Sequence, residues 1–351
     1  MINDTINNSR HKKILQILKN GIKLSREEIS NKLSKDYIIS RITLIRDLKE
    51  LVSRGLLASE GKARFTKYFI ANLNPLLEYL DLDDYFSKEI DERNIKKVFN
   101  SDIFKNLENL YSEQEISLWE KSKNEYSLRS KKLDPTLYKR ELERFIIEFA
   151  WKSSQIEGNT YDLLETETLL VHNIQANGHS EEEAVMIVNH KKAFDLILEN
   201  KESFKKVSFS DITQLHNILM EGLITTGIRN QPVRITGTNY KPPELENDLR
   251  SNLHTLVEVL DKTPFIPDKA LIALCMIAYL QPFKDGNKRT SRMLSNAILI
   301  SHGYFPLSYR NVDLNEYRKS IIVFYEQNNI SNLKRITISQ LRFAIENYFI
   351  I

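Results

Sequence analysis

Residues 281–292 read QPFKDGNKRTSR. They lie between two strongly apolar runs, DKALIALCMIAYL before them and MLSNAILISHG after them. Runs of this kind predict two buried helices, so the string is predicted to be a loop that leads into the first turn of the second helix. Gly286 and Asn287 then fall where backbone N–H groups have no intrahelical partner, and anions bind at such places.

The charged side chains of the string point to the same chemistry. Arg289 and Arg292 are three residues apart, hence neighbours on one face of the second helix. Two guanidiniums beside free N–H groups suit a polyphosphate, and Asp285 is placed to hold a Mg²⁺ ion that bridges phosphates. The string therefore predicts a nucleotide-phosphate pocket. The alternative is an Asp-Gly-Asn turn that only caps a structural helix, with both arginines in surface ion pairs.

The string also resembles the signature of the Fic family, H-P-F-x-D/E-G-N-G-R-x-x-R. The matching positions are Pro282, Phe283, Asp285, Gly286, Asn287, Arg289 and Arg292, while Gln281 replaces the His and Lys288 replaces the second Gly. Three further blocks resemble the family in its order: SSQIEGNTYDLLETETLL, its inhibitory helix with Ser153, Glu157 and Gly158; LHNILMEGL; and EGLITTGIRNQPVRITGTNYKPPELEN, its substrate-holding flap, with a strand expected at Val233–Ile235.

This resemblance implies a mainly α fold: an all-α Fic core with a short β-hairpin flap over residues 136–315, and C-terminal helices over 316–351 that pack on the core. It also implies transfer of AMP from ATP to a protein hydroxyl, with Mg²⁺ at Asp285. The implied catalytic positions are Gln281, Asp285, Arg289 and Arg292. The implied nucleotide-binding positions are Phe283, Gly286, Asn287, Lys288, Arg289 and Arg292. Glu157 would pair with Arg292 and keep ATP out of its productive pose; an ordinary ion pair between two helices is the alternative.

The two departures decide between functions. An amide such as Gln281 cannot accept a proton as a base, and loss of a positioned base costs about 10²- to 10⁴-fold in rate. The Asn-Lys-Arg order at Lys288 resembles the Doc branch, which transfers the γ-phosphoryl group. Three interpretations stay open: a divergent Fic transferase held off by Glu157, a pseudoenzyme that senses a nucleotide and regulates through DNA, and an interaction module with neither activity.

The first 72 residues differ in charge from the rest. They hold 15 basic and 7 acidic residues, against 35 basic and 40 acidic in the remainder. Their pattern predicts a helix, a short helix with Ser25 and Glu28 as a capping box, and a longer helix that begins after Ser40. LLASEGKARFTKYFIA then predicts a hairpin. The apolar stripe expected on the longer helix is Ile42, Ile45, Leu48, Leu51 and Val52.

This order resembles a winged helix-turn-helix domain over residues 1–72, and residues 73–135 are interpreted as a helical bridge. The candidates for contact with DNA base edges are Ser40, Arg41, Thr43 and Arg46, with Arg64 and Lys67 on the wing as phosphate contacts. Because winged helices also dock proteins, a docking module is the alternative.

Composition narrows the class of protein. With 351 residues, 41% of them hydrophobic and 28% charged, the chain is globular and not fibrous or disordered. A single Cys excludes an internal disulfide framework and a Cys-based zinc site. No apolar run reaches membrane-spanning length and no signal peptide is recognisable, so we expect a cytoplasmic protein without a membrane. The partners considered are ATP or another nucleotide, a target protein hydroxyl, DNA, and a second copy in a homodimer.

Overall fold

A computed structural model describes residues 9–18, 22–53, 55–71 and 74–350, except for the side chain of Arg64. The chain divides into two compact units. The N-terminal unit comprises Met1–Leu80 and Leu110–Gln114, and the helical unit comprises Asp81–Asn109 and Glu115–Ile351. The domain boundaries predicted at residues 72, 135 and 315 stay predictions.

Three helices and a small antiparallel sheet make up the described part of the N-terminal unit. The elements are α1 (Ser9–Ile17), β1 (Leu24–Ser25), α2 (Arg26–Leu33), α3 (Arg41–Ser53), β2 (Leu57–Glu60) and β3 (Lys67–Ile70). Strand β3 lies in the middle of the sheet, with Tyr68 opposite Leu24 of β1 and Ile70 opposite Leu57 of β2. The predicted helix order and hairpin are therefore formed.

The start of α2 confirms the predicted capping box. The Ser25 hydroxyl accepts the Glu28 N–H at 3.3 Å, and the Glu28 carboxylate accepts the Ser25 N–H at 2.7 Å. Two backbone N–H groups at the N-terminal end of the helix, those of Ser25 and Glu28, are thereby satisfied.

The stripe predicted on α3 is partly wrong. The buried face of this helix carries Leu44, Leu48 and Leu51, whereas Ile42 is 71% exposed. Asp47 is also buried, because Arg10 of α1 binds its carboxylate at 2.9 Å. The predicted stripe thus began at Ile42, which lies about half a turn around the helix from the buried Leu44.

The helical unit is mainly α, as predicted. Its helices are α4 (Leu82–Phe86), α5 (Glu113–Lys132), α6 (Pro135–Ile156), α7 (Leu163–His172), α8 (Glu181–Glu199), α9 (Phe209–Leu219), α10 (Glu246–Lys262), α11 (Ile266–Leu280), α12 (Asn287–Ser301), α13 (Leu314–Gln327) and α14 (Ser331–Asn347). None of the helices in the described ranges combines the length and the apolar character that crossing a membrane requires.

Helices α11 and α12 form the centre of this unit. All residues of α11 from Pro267 to Leu280 are buried, and α12 is buried on nearly all sides. Because α11 is apolar on nearly all sides, it must lie inside the fold, and α12 packs against it. This pair fixes both ends of the loop between them, which is buried at residues 281–283 and exposed at Lys284 and Asp285.

Two segments depart from the predicted secondary structure. Much of residues 87–112, expected within a helical bridge, consists of short 3-10 turns and irregular chain. The strand predicted at Val233–Ile235 is not formed. The flap, residues 228–243, instead pairs with other segments: Ile228 bridges antiparallel to Phe283, and Lys241 bridges parallel to Val98. The flap is thus paired near its two ends and forms no hairpin of its own.

A buried ion pair joins the start of the helical unit to α13. Arg93 donates to Glu326 at 3.1 Å with side chains 3% and 0% exposed, and it also donates to the Gly237 carbonyl at 3.0 Å. We expect Arg93→Ala to lower the free energy of unfolding by about 3 kcal/mol, because it leaves a buried carboxylate without its cation. Urea unfolding of the full chain measures this.

The control is Lys105→Ala, which removes an exposed pair with Asp102 whose side chains are 78% and 70% exposed. Exposed pairs are worth about 1 kcal/mol or less. Equal losses in the two variants would contradict the prediction.

Candidate functional site

The loop between α11 and α12 reverses the chain through two left-handed residues. Gln281 has φ +48° and Gly286 has φ +76°. A Cβ atom at position 286 would lie 2.9 Å from Met220 Cγ, too close for a carbon contact. Both the left-handed φ and this approach require glycine at the residue that precedes α12.

Asn287 fixes the shape of the loop from inside. Its side-chain amide donates to the Gln281 Oε1 at 3.0 Å and to the Phe283 carbonyl at 2.9 Å. Its Oδ1 accepts the Phe283 N–H at 2.9 Å. The side chain therefore positions the loop, and only the Asn287 backbone contributes an N–H group to the start of α12.

Gln281 is held by hydrogen bonds on both ends of its amide. Nε2 donates to the Ala278 carbonyl at 2.7 Å, while Oε1 accepts from Asn287. The side chain is nearly buried, at 9% exposure. This amide has no titratable nitrogen to take a proton from a nucleophile.

His216 of α9 supports the loop from the other side. Its ring stacks on Phe283 at 3.6 Å between centroids, and its Nε2 donates to the Asp285 carbonyl at 3.0 Å. Burial lowers the pKa of His216 to about 4, so the ring is neutral at pH 7. His216 was given no role from the sequence, although it lies in the LHNILMEGL block.

Two buried guanidiniums lie behind the loop. Arg289 is 4% exposed and donates through Nη2 to the exposed Asp285 carboxylate at 2.9 Å. Arg292 is fully buried. The Nη1 atoms of both arginines lack a hydrogen-bond partner among the described residues. Unused donors on two buried cations, one turn from a helix N-terminus, can donate hydrogen bonds to several oxygens of one anion.

A carboxylate from α6 already reaches these cations. Glu157, at the end of α6, lies 2.9 Å from Arg292 Nη2 and 2.7 Å from Lys288 Nζ. Burial alone would raise the pKa of Glu157, but Arg292 and Lys288 override it and lower the pKa to about 2. The Arg292 contact was predicted, whereas the Lys288 contact was not.

A buried hydrogen-bond chain fixes Arg292. Its Nε donates to Ser153 Oγ at 3.0 Å, and its Nη2 donates to the Ser153 carbonyl at 2.9 Å. His190 of α8 lies 2.9 Å from the same hydroxyl through Nε2 and 2.8 Å from the Met186 carbonyl through Nδ1. Since a carbonyl only accepts, Nδ1 carries the proton and the Ser153 hydroxyl donates to Nε2. His190 has no special spacing in the sequence.

The end of α6 is fastened next to Glu157. Arg318 of α13 donates to the Ile156 carbonyl at 3.0 Å. Gly158 then turns the chain with φ +101°. This φ favours glycine, so Gly158 allows the chain to leave directly after the carboxylate.

Arg229 ties the flap to the loop. Its guanidinium donates to the Gln281 carbonyl at 2.7 Å, to the Gln231 carbonyl at 2.8 Å, and to the Pro243 carbonyl. Its side chain is buried, and one residue thus fixes both ends of the flap against the loop. The sequence placed Arg229 in the flap turn but did not indicate these partners.

The structure therefore brings the predicted catalytic, nucleotide-binding and inhibitory residues together at the start of α12. The predicted DNA contacts lie in the N-terminal unit. There, Ser40 caps α3 by accepting the Thr43 N–H at 3.1 Å, and the two hydroxyls lie 2.9 Å apart. Arg41, Arg46 and Lys67 are exposed, and the side chain of Arg64 lies outside the described residues.

Residues 206–299 match the model of the Fic/DOC family. The chain contains a Fic domain. It is 28% identical over 193 residues to the protein adenylyltransferase Fic of Nematostella vectensis. This alignment covers 51% of this chain and 43% of that protein. It is also 28% identical over 151 residues to a probable protein adenylyltransferase of Aquifex aeolicus, which covers 40% and 46%. The chain thus spans less than half the length of these curated relatives.

Solved structures with the same fold confirm the mainly α Fic core. Fic-1 of C. elegans superposes with a TM-score of 0.58 at 21% identity, over 67% of this chain and 72% of that one. A Fic domain containing signalling protein of Bacteroides thetaiotaomicron superposes with a TM-score of 0.54 at 21% identity, over 65% and 94%.

The lowered pKa of Glu157 predicts a defined pH window. Because the pKa is about 2 in the fold against an ordinary 4.5, stability tied to the ionised carboxylate is complete above pH 4.5 and is lost as the pH falls towards 2. His190, whose burial lowers its pKa from 6.5 to about 3, adds a loss that begins below pH 6.5. We therefore expect the free energy of unfolding, measured with urea between pH 7 and pH 3, to fall less steeply below pH 4.5 for Glu157→Gln than for wild type.

Above pH 4.5 the two proteins should show the same slope, because the folded His190 is neutral there in both; loss of the Glu157 charge only lowers its pKa further. Glu199→Gln, at an exposed position of α8, serves as the matched control and should follow wild type. Parallel curves for wild type and Glu157→Gln below pH 4.5 would refute the assignment.

Proposed function

We propose that the chain binds ATP at the N-terminus of α12 and transfers AMP to a hydroxyl of a protein, and that Glu157 holds this site off. The observation that carries the proposal is the Glu157 carboxylate between Lys288 and Arg292. It marks an anion site, because an internal carboxylate takes up the positive charge that phosphates would otherwise use.

The surroundings of Glu157 suit phosphates better than a single carboxylate. The site adds unused Nη1 donors on Arg289 and Arg292 to the free N–H groups at the start of α12. A polyphosphate can use all of these donors, whereas Glu157 reaches only two cations.

The residues present fit a Mg²⁺ ion that is shared with the nucleotide. No group of three or more His, Cys, Asp or Glu side chains that could hold a metal lies within the described ranges. Asp285 offers one exposed carboxylate, and Mg²⁺ is often held by one or two carboxylates together with substrate phosphates. The ion would neutralise phosphate charge when bound, while Arg289 keeps Asp285 in place.

Gln281 sets the expected rate. Its amide is hydrogen-bonded at both ends and cannot serve as general base, so transfer should be slower by about 10²- to 10⁴-fold than with a positioned base. Matches to proteins named adenylyltransferases support AMP transfer as the reaction class. Phosphoryl transfer and nucleotide sensing without transfer are the competing outcomes.

Removing the carboxylate should activate the site. We expect Glu157→Gly to raise protein labelling by α-labelled ATP about tenfold or more, because nucleotide no longer competes with an internal anion. Adding Gln281→His should raise it further, since that change supplies a base. Gel autoradiography of the full chain with cell extract measures both effects.

Matched controls separate the outcomes. Gln281→Asn in the Glu157→Gly background keeps an amide and should give no further gain, and Arg292→Ala in that background should abolish labelling. Label from γ-ATP but not from α-ATP would indicate phosphoryl transfer. ATP binding by calorimetry without any labelling, even in the double variant with Gln281→His, would reject the transferase and favour the sensor.

A second candidate function is DNA binding by the N-terminal unit. The specific observation is the order α1, β1, α2, α3, β2, β3 with β3 central in the sheet, the arrangement expected of a winged helix. Arg41, Arg46 and Lys67 are exposed on α3 and β3. A nucleotide-sensing regulator would combine this unit with the Fic domain. A cytoplasmic location and a homodimer also stay predictions.

We expect the full chain to bind duplex DNA, including its own promoter, in a strongly salt-dependent way, because phosphate neutralisation drives such binding. Arg41→Ala with Arg46→Ala should weaken the complex by about 100-fold and reduce the salt slope by about 2. Fluorescence anisotropy at several salt concentrations measures this, with Lys88→Ala in the helical unit as control. Unchanged binding in the double variant would show that Arg41 and Arg46 do not contact the DNA.

A further inference from the structure

The outward face of α3 combines positive charge with an exposed isoleucine. Ile42, Arg46 and Lys49 follow each other at the i, i+4 and i+7 spacing and therefore share one face of the helix. The leucines that form the core lie on the opposite face, and Arg46 and Lys49 are both exposed. This face also differs from the predicted contact set, because Ser40 and Thr43 are engaged in the cap.

Two isoleucines, one on this face and one in the chain just before α3, are unusually open. Ile42 is 71% exposed, and Ile38, four residues earlier, is fully exposed. Neither contributes to the core cluster of the unit, which Leu44, Leu48 and Leu51 join. A β-branched side chain that stands out between charged neighbours is available for an apolar contact with a ligand.

The charge around the face favours an anionic partner. Several carboxylates of the unit are engaged within it: Asp47 binds Arg10 at 2.9 Å, Asp36 binds Lys13 at 2.8 Å, and Glu60 binds Lys23 at 2.7 Å. Arg46 and Lys49 thus keep their positive charge toward solvent. An apolar protein partner would have to cover both cations, whereas a polyanion would be attracted by them.

We propose that the Ile42–Arg46–Lys49 face enters the major groove of duplex DNA, with Ile42 packed against the C5 methyl group of a thymine. The methyl group is the apolar element of the major-groove pattern, and residues near the start of a recognition helix reach base edges. Arg46 and Lys49 contact phosphates along the same face. This inference rests on the proposed DNA binding and adds the face that reads sequence.

The test begins by selecting preferred duplexes from a random pool with the full chain. Each thymine of the selected site is then replaced singly by uracil, which lacks only the C5 methyl group. At one position the change should weaken wild-type binding about fourfold, the equivalent of one lost methyl contact. Ile42→Ala should weaken binding to the thymine duplex by a similar factor and should no longer distinguish thymine from uracil.

Two variants control the result. Ile22→Ala changes an isoleucine of the same unit that is 43% exposed but lies outside α3, and it should keep the thymine–uracil difference. Lys49→Ala should reduce the salt slope by about 1 and also keep that difference. Circular dichroism of each variant checks that the unit is folded.

The outcomes separate this inference from the proposal beneath it. Loss of the thymine–uracil difference in Ile42→Ala alone supports the inference. DNA binding in which Ile42→Ala and uracil weaken the complex independently, or not at all, overturns the face assignment and leaves DNA binding intact. A chain that binds no duplex even at low salt overturns both and points the face to a protein partner.

Discussion

The helical unit is organised around one buried cation. Arg292 lies on a helix with almost no exposed side, and an uncompensated guanidinium there would cost several kcal/mol. Glu157 and Ser153 of α6 supply the compensation, with Ser153 held in turn by His190 of α8. The packing of three helices is therefore coupled to the electrostatic state of a single side chain. Any ligand that replaces Glu157 must also satisfy this cation.

The two departures from the Fic signature act in opposite directions. Gln281 keeps the loop in shape through both ends of its amide, yet it provides no base. Lys288 adds a second cation to the pair that Arg292 makes with Glu157. Under the proposed function, Gln281 would weaken proton transfer, while Lys288 would keep or increase the attraction of the site for an anion. In that case the proposed nucleotide binding would be retained while the proposed AMP transfer is slow.

The sequence was sufficient where local chemistry decides the structure. The apolar runs identified α11 and α12, and the Ser25–Glu28 spacing identified the start of α2. It was insufficient where the partner lies far along the chain. Lys288 meets Glu157 across 131 positions, and Arg229 donates to the Gln281 carbonyl across 52 positions. No periodicity or spacing encodes such contacts, because they depend on how whole helices pack.

The flap and α3 show a second reason why prediction from sequence fails. In each, the sequence is compatible with two local structures, and only the surrounding fold decides between them. A strand at Val233–Ile235 agreed with its β-branched residues, but the flap backbone found partners at Phe283 and Val98 instead. On α3, the stripe drawn from Ile42 and the stripe drawn from Leu44 share Leu48 and Leu51, and tertiary packing chose the second. Where two faces share residues, burial is decided by the neighbours.

Under the proposed function, the contact between Glu157 and its two cations would make anion binding depend on the position of the end of α6. The carboxylate is part of the same chain, so it competes at a fixed effective concentration that dilution cannot change. An incoming anion would then bind with an apparent affinity equal to its intrinsic affinity multiplied by the fraction of molecules in which the end of α6 has moved away. Occupancy would then report two quantities at once, the supply of the anion and the position of α6. A protein that holds α6 in either position could set the response without touching the anion.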